Sequence, residues 1–109
     1  MKSQARNRYD VVHCLVIGHV QYGLLIESED GERGFVDSSY VTDQPGEPWP
    51  EVGRRLRCLV LGYANDGRLR AATTPLCVEM VAAADDPVAA VKRWIVLAGR
   101  APQSGGVLD

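Results

Sequence analysis

Two kinds of side chain in this 109-residue sequence are suited to recognition chemistry: an aromatic residue beside a glycine, and a group of closely spaced arginines. Tyr22 precedes Gly23, and a glycine within a strand pattern marks a bend or a close approach, beside which a planar group could stack. The arginines fall within residues 52–72, where the one acid is Asp66; they are Arg54, Arg55, Arg57, Arg68 and Arg70. Such side chains bind a ligand by stacking on a planar group and by attracting negative charge.

The charges are segregated along the chain although the net charge is only -2. Between Glu27 and Glu51, eight acids accompany the single arginine Arg33, whereas the arginines above dominate the following segment. We therefore expect an electrically two-sided molecule whose basic face attracts an acidic partner despite the acidic total. The alternative is that each strand merely solvates its outer face with charged side chains.

Catalytic and metal-binding patterns are missing from the sequence. Ser38 and Ser39 have no histidine at a motif spacing, and the sequence contains no glycine-rich phosphate loop and no cysteine-pair metal signature. His13 and Cys14 are adjacent, so a strand sends them to opposite faces; His13 and His19 are interpreted as surface or hydrogen-bonded residues. We predict no enzyme, no metal site and no cofactor.

The hydropathy and the positions of the cysteines indicate the cellular compartment of the protein. No run of about eighteen apolar residues is present, and the N-terminal residues lack the apolar segment of a signal peptide, so we expect a cytoplasmic protein without a membrane partner. Cys14, Cys58 and Cys77 each lie inside an apolar run, which predicts buried thiols rather than a disulfide.

The stretch from Val20 to Val36 has the pattern of a β-hairpin with Asp30-Gly31 at its tip. Its alternation predicts Leu24 and Ile26 inside, and with Gly23 acting as a bulge, Leu25 shares the outward face of Tyr22. Before it, residues 11–20 form a long predicted strand bent at Gly18. After it, residues 54–63 and 68–73 form two more strands joined by a turn at Asp66-Gly67. Five predicted strands result.

The connection from Thr42 to Gly53 is too rich in proline and glycine for an interior strand. Asp37 or Ser38 is placed to cap a short helical turn before it. Trp49, within this loop, either plugs one end of the barrel, the interpretation we favour, or is exposed for stacking.

Residues near the C-terminus favour helices. Asp86-Pro87 starts a helix over residues 88–98 whose apolar face holds Val88, Val91, Ile95 and Ala98 with Trp94 beside it, and Gly99 ends it. Residues 76–84 alternate like a strand but contain helix-favouring alanines, and we favour a helix. The predicted organisation is a flexible basic arm (1–10), a barrel (11–74), a helical extension (75–99) and a flexible tail (100–109).

The order of these features over residues 11–73 resembles the ribosomal S-one RNA-binding domain. The shared features are the aromatic-glycine pair, the acidic hairpin, the serine-led helical turn, the glycine before a strand and the closing hairpin. The resemblance implies a mostly β, five-stranded antiparallel barrel of the oligonucleotide-binding (OB) type, here with a C-terminal helical extension. It also implies binding of single-stranded RNA on one barrel face.

The family's binding face carries two aromatics on the second strand, a histidine after the third, and an acid and a base around the closing hairpin. Tyr22 matches the first aromatic and Arg68 the base, with Arg70 on the same side. Leu25 replaces the second aromatic, Asp37 replaces the histidine, and Ala64 stands at the acid's position. The resemblance thus implies nucleic-acid binding at the positions of Tyr22, Leu25, Asp37 and Arg68. The arginine-rich strands add Arg55, Arg57 and Arg70 to this predicted set.

Two hypotheses follow from this comparison. The first is a single-stranded RNA-binding module that binds weakly, because Leu25 cannot stack and the charge of Asp37 repels phosphate. The second is a protein-interaction module, such as a regulator, inhibitor or subunit, that uses the acidic segment or the apolar helix on the same scaffold.

Overall fold

The fold was analysed in a computed structural model that describes residues 7–44 and 46–99. Its elements are β1 (Val11–Val20), β2 (Gly23–Ser28), β3 (Arg33–Asp37), a 3-10 turn (Ser38–Tyr40), β4 (Arg55–Tyr63), β5 (Leu69–Ala72), α1 (Pro75–Ala82) and α2 (Pro87–Leu97). Residues 1–6 of the predicted arm and the predicted tail at 100–109 lie outside the described residues. The two predicted helices and the five predicted strands are confirmed.

The five strands close into one barrel in the order β1-β2-β3-β5-β4. The expected fold class, a five-stranded OB-type barrel with a helical extension, is confirmed. One pairing differs from the antiparallel prediction: β3 and β5 run parallel, with Gly34 opposite Leu69 and Phe35 opposite Arg70. The reason is topological, because the loop at 41–54 carries the chain across the barrel end before β4, and β5 then returns beside β3 in the same direction.

The barrel interior follows the alternation read from the sequence. Leu24, Ile26 and Val36 are fully buried, as are the inward side chains of β1 and β4, Cys14, Val16, Cys58 and Val60. The cysteines of the described residues are free and buried, as predicted. A hydrogen bond to Cys14 and burial both raise the pKa of the Cys58 thiol, which keeps it protonated and unreactive.

Closure of the barrel requires a residue without a side chain at Gly34. A Cβ atom built there would lie 2.6 Å from the Leu69 carbonyl oxygen and 2.8 Å from the Leu69 Cβ. Both contacts are shorter than a Cβ atom tolerates, and the shorter one is with the backbone of β5. Gly34 therefore lets β5 approach β3 closely enough to pair with it.

The two helices cover the outer side of β4 rather than reaching away from the barrel. Leu59 and Leu61 point outward from β4, yet they are buried in a second cluster with Cys77, Val78, Val81, Val91 and Trp94. The apolar face of α2 is confirmed for Val91 and Trp94. The prediction that Val88 belongs to this buried face is wrong. Val88 is 50% exposed, because the first residues of the helix turn away from β4.

Asp43 joins the barrel-end loop to both helices. Its Oδ2 accepts a hydrogen bond from the Leu76 amide of the first turn of α1 (2.9 Å), and its Oδ1 accepts one from Trp94 Nε1 of α2 (2.8 Å). Asp86 caps α2 by accepting a hydrogen bond from the Ala89 amide at 3.2 Å, as the sequence predicted. Asp43 thus fixes where the helical pair sits on the barrel.

Residues 7–10, expected to belong to a flexible arm, are held against β4. The Tyr9 amide donates to the Val60 carbonyl (2.6 Å), and the Val60 amide donates to the Asp10 carbonyl (2.8 Å). These bonds extend the β1–β4 pairing by one step. None of the helices in the described part of the chain is long and apolar enough to span a membrane.

We predict that Gly34→Ala lowers the free energy of unfolding by about 1–3 kcal/mol, because the new methyl group overlaps the Leu69 backbone. Urea denaturation measures this difference. Gly18→Ala is the matched control, since its Cβ would meet only the Leu25 side chain, at 3.4 Å, and should cost under ~1 kcal/mol. Equal effects of the two substitutions would contradict the role given to Gly34.

Replacing Asp43 by alanine should lower the free energy of unfolding by about 1–3 kcal/mol, because two donors lose their acceptor, one of them on the buried Trp94. Asp43→Asn keeps one acceptor and should fall between wild type and alanine. Glu79→Ala, at an exposed position of α1, is the control with little expected change. Urea denaturation followed by tryptophan fluorescence would test the ordering.

Candidate nucleic-acid interface

A row of outward-facing residues crosses the barrel at its middle. Strand register places Gly18 of β1 beside Leu25, Leu25 opposite Phe35, Phe35 opposite Arg70, and Arg70 opposite Gly62 of β4. A register irregularity accompanies each of the two glycines, which confirms the bend predicted at Gly18. With glycine at both ends, the row presents one aromatic ring, one leucine and one arginine on an otherwise open surface.

Phe35 is the residue at the centre of this row, and the sequence reasoning missed it. Its ring is half-buried, and the Arg68 guanidinium carbon lies 4.8 Å from its centroid, within cation–π range. The signal was present in the alternation: Gly34 and Val36 face inward, so Phe35 between them must face outward beside Leu25. The aromatic ring on this part of the surface therefore belongs to Phe35, the cross-strand partner of Leu25.

Arg68 is held in place by the turn that precedes it. The Asp66 carboxylate accepts a hydrogen bond from the Arg68 amide at 3.0 Å and one from Arg68 Nε at 2.9 Å. The hydrogen bond from the Arg68 backbone amide is the main cause of the lowered pKa of Asp66; desolvation opposes it, and the hydrogen bond and charge of the Arg68 guanidinium each lower the pKa further by less. Asp66, two residues after Ala64, is therefore the acid that orients Arg68.

Tyr22 lies in the turn between β1 and β2 and is 56% exposed. Its carbonyl accepts a hydrogen bond from the Ser38 amide at 2.7 Å, which ties this turn to the end of β3. Gly23 follows it opposite Asp37, and a Cβ atom at Gly23 would collide with the Val36 carbonyl oxygen. Gly23 therefore serves a close backbone approach rather than the predicted bulge.

Asp37 ends β3 on the same outward face as Phe35. Its Oδ1 accepts hydrogen bonds from the Ser39 amide (3.0 Å) and the Ser39 hydroxyl (2.9 Å), which confirms the predicted cap of the 3-10 turn. The two hydrogen bonds from Ser39 therefore partly compensate the negative charge of Asp37. We call this surface the Phe35 face; its residues are Tyr22, Leu25, Phe35, Asp37, Arg68 and Arg70.

Arg55 and Arg57 are not brought to the Phe35 face. The register places Arg55 opposite Leu15 and Arg57 opposite His13, in the half of β4 that pairs with β1 rather than β5. Arg57 also borders a groove of about 570 Å³ between the loop, β4 and α1. Other side chains lining the groove include Trp49, Glu51, Arg54, Val78 and Glu79.

Trp49 and His19 both make contacts within the fold. Trp49 is half-buried and packs against the barrel interior, which supports the interpretation that it plugs the barrel end. Its ring meets His19 edge-on at 5.8 Å, and His19 Nε2 lies 2.6 Å from the Pro50 carbonyl oxygen. Within residues 7–44 and 46–99, no group of three or more acids, histidines or cysteines is arranged to hold a metal ion.

Neither a protein-family model nor a curated protein sequence matches this chain. Solved structures do resemble it. The intact alpha subunit of aIF2 from Pyrococcus abyssi superposes with a TM-score of 0.59 at 15% identity, covering 68% of this chain and 31% of that one. GSP13 from Bacillus subtilis gives 0.56 at 20% identity, covering 74% and 62%.

A chain in the crystal structure of the a/eIF2alpha–aDim2p–rRNA complex from Pyrococcus horikoshii OT3 gives a TM-score of 0.60 at 14% identity, covering 83% of this chain and 53% of that one. This chain therefore spans less than two thirds of each of the three structures. At such identities the likeness establishes the fold, which agrees with the OB-type barrel described above.

We predict that Arg68→Ala raises the pKa of Asp66 part-way toward its usual value. The guanidinium contribution is lost, whereas the backbone amide, the largest cause of the lowered pKa, remains. Because the folded pKa lies below the unfolded one, the ion pair is present at neutral pH and is lost as pH falls through the folded pKa. A carbon-detected NMR titration of the Asp66 carboxyl measures this.

The matched control is Arg70→Ala, which removes an arginine from the same face without touching Asp66. An Asp66 pKa that moves equally in both variants would show that general charge, rather than the contact with Arg68, sets it.

Proposed function

We propose that this chain is a non-catalytic module that binds single-stranded RNA on the Phe35 face. The observation that carries the proposal is the Phe35–Arg68 pair, which brings an aromatic ring of the kind that stacks on bases and a cation of the kind that meets phosphates within 4.8 Å of each other on one face. The face also lies where OB barrels bind oligonucleotides, on β2 and β3 flanked by the β1–β2 and β4–β5 connections.

The arrangement supplies the two components of single-strand binding. Phe35 and the exposed Tyr22 are the stacking residues, and each base stacked on an aromatic ring contributes roughly 1–3 kcal/mol. Arg68 and Arg70 supply positive charge on the side of Phe35 formed by β5 and its preceding turn. Asp37 opposes phosphate at the other end of the face, so binding is weak and depends on salt.

The similar structures support the same proposal. One of them is a complex that contains rRNA, and another similar structure, from Streptococcus pneumoniae, is a multidomain protein with nucleic acid binding domains. The chemistry of the Phe35 face agrees with binding of this kind.

The alternative, a protein-interaction module, draws on the groove beside α1. Its rim combines Arg54 and Arg57 with Glu51 and Glu79, a mixture of charges more suited to a peptide than to a polyanion. Recognition of a protein partner remains the second candidate function.

The central test is fluorescence anisotropy of a labelled single-stranded RNA at low salt. Phe35→Ala should lower affinity roughly 5- to 150-fold, which corresponds to one lost stacking contact. Tyr22→Ala should act in the same direction. Arg68→Gln and Arg70→Gln should each reduce the slope of log K against log salt by about 0.7, the value for one phosphate contact on a single strand.

Arg55→Gln is the matched control, because it removes the same charge from the half of β4 that pairs with β1 rather than β5. The Arg55→Gln variant should keep nearly the wild-type slope of log K against log salt. Adding Phe35→Ala to this variant should lower its affinity about as much as it does in wild type. If Arg55→Gln reduced the slope of log K against log salt as much as Arg68→Gln does, the RNA would bind outside the Phe35 face. If wild-type protein failed to bind any single-stranded RNA at low salt, the proposal would be overturned in favour of the protein-interaction alternative.

A further inference from the structure

Asp37 lies at one end of the Phe35 face. It is two residues beyond Phe35 on β3, with both side chains on the outward face, and it lies opposite Gly23, the neighbour of Tyr22. The Ser38 amide, adjacent to Asp37, is bonded to the Tyr22 carbonyl, so the turn and the strand end are fixed together. Asp37 is thus next to both aromatic residues in the strand register.

The carboxylate is oriented by its own cap. Oδ1 accepts both hydrogen bonds from Ser39, at 3.0 Å from the amide and 2.9 Å from the hydroxyl, and this pair of bonds restricts rotation of the side chain. Asp37 is exposed, and among the described residues no donor is bonded to Oδ2. A fixed, solvent-facing acceptor atom is therefore left at the edge of the stacking surface.

We propose that Asp37 Oδ2 is a specificity-determining acceptor that favours cytosine over uracil at this position; the inference rests on the proposed RNA-binding function. An ionised carboxylate only accepts hydrogen bonds, and the cytosine N4 amino group is a donor that aspartate and glutamate recognise in nucleic-acid complexes. Uracil presents the O4 acceptor at the same ring position and would meet the carboxylate oxygen with like charge. The two pyrimidines have equal ring size, so stacking discriminates little between them.

The charges around Phe35 give the bound nucleotide one orientation. Arg68 and Arg70 lie on the β5 side of the ring, and Asp37 lies further along β3. Phosphate is attracted to the arginines and repelled by Asp37. A base stacked on Phe35 with its phosphate toward β5 is thereby directed with its polar edge toward Asp37.

The test compares two labelled octamers, oligo(rC) and oligo(rU), by fluorescence anisotropy at pH 7.5 and low salt. Wild-type protein should bind oligo(rC) roughly tenfold more tightly, in line with one hydrogen-bonded base contact. In Asp37→Asn, the amide oxygen can keep the Ser39 cap while its NH₂ group replaces Oδ2 as a donor. The preference should then reverse toward oligo(rU), because O4 becomes the matching partner.

Glu29→Gln is the matched control, since it removes one negative charge from the exposed tip of the β2–β3 hairpin. It should change the affinity for both octamers equally and leave their ratio as in wild type. Equal wild-type affinity for the two octamers, or an unchanged ratio in Asp37→Asn with wild-type thermal stability, would overturn the specificity role and leave RNA binding intact. Failure of wild-type protein to bind either octamer would overturn the proposed function itself.

Discussion

The absence of a side chain at Gly34 is the constraint on which the rest of the molecule depends. The backbones of β3 and β5 can pair in parallel only because no Cβ atom separates Gly34 from Leu69. This pairing closes the sheet into a barrel, removes its free edges and encloses one apolar interior. It also brings Arg70 beside Phe35, residues that are far apart in the chain. Barrel stability and the composition of the outer face therefore have a common origin in one close backbone contact.

On the Phe35 face, the aromatic ring and the acid that orients Arg68 come from positions close to those that the resemblance in the sequence implied. Leu25 occupies the place of an aromatic residue, yet its cross-strand partner Phe35 supplies a ring to the same surface. Ala64 occupies the place of an acid, yet Asp66 orients Arg68 from within the turn. In each case the replacement comes from a residue that the sheet or the turn places within contact distance.

The helical extension adds a second layer to the barrel without covering the Phe35 face. Leu59 and Leu61 would be exposed apolar residues on β4, but α1 and α2 bury them. Asp43 sets the position of both helices through one carboxylate, because each oxygen accepts from a different helix. The arginines of β4 are left on the β1 side of the barrel, away from Arg68 and Arg70. The single cluster of arginines in the sequence is thus divided into two separate surfaces.

The sequence by itself determined the strands, the hairpin tip, the inward residues such as Leu24 and Ile26, the cap at Asp37 and the helix start at Asp86. These features depend on alternation, turn chemistry and capping, which act between residues close in the chain. Only the tertiary structure decided that β3 and β5 pair in parallel, that Phe35 meets Arg68, and that Arg55 and Arg57 lie elsewhere. Those outcomes depend on strand register and barrel closure between distant segments, and one residue of register change would reverse which side chains face outward.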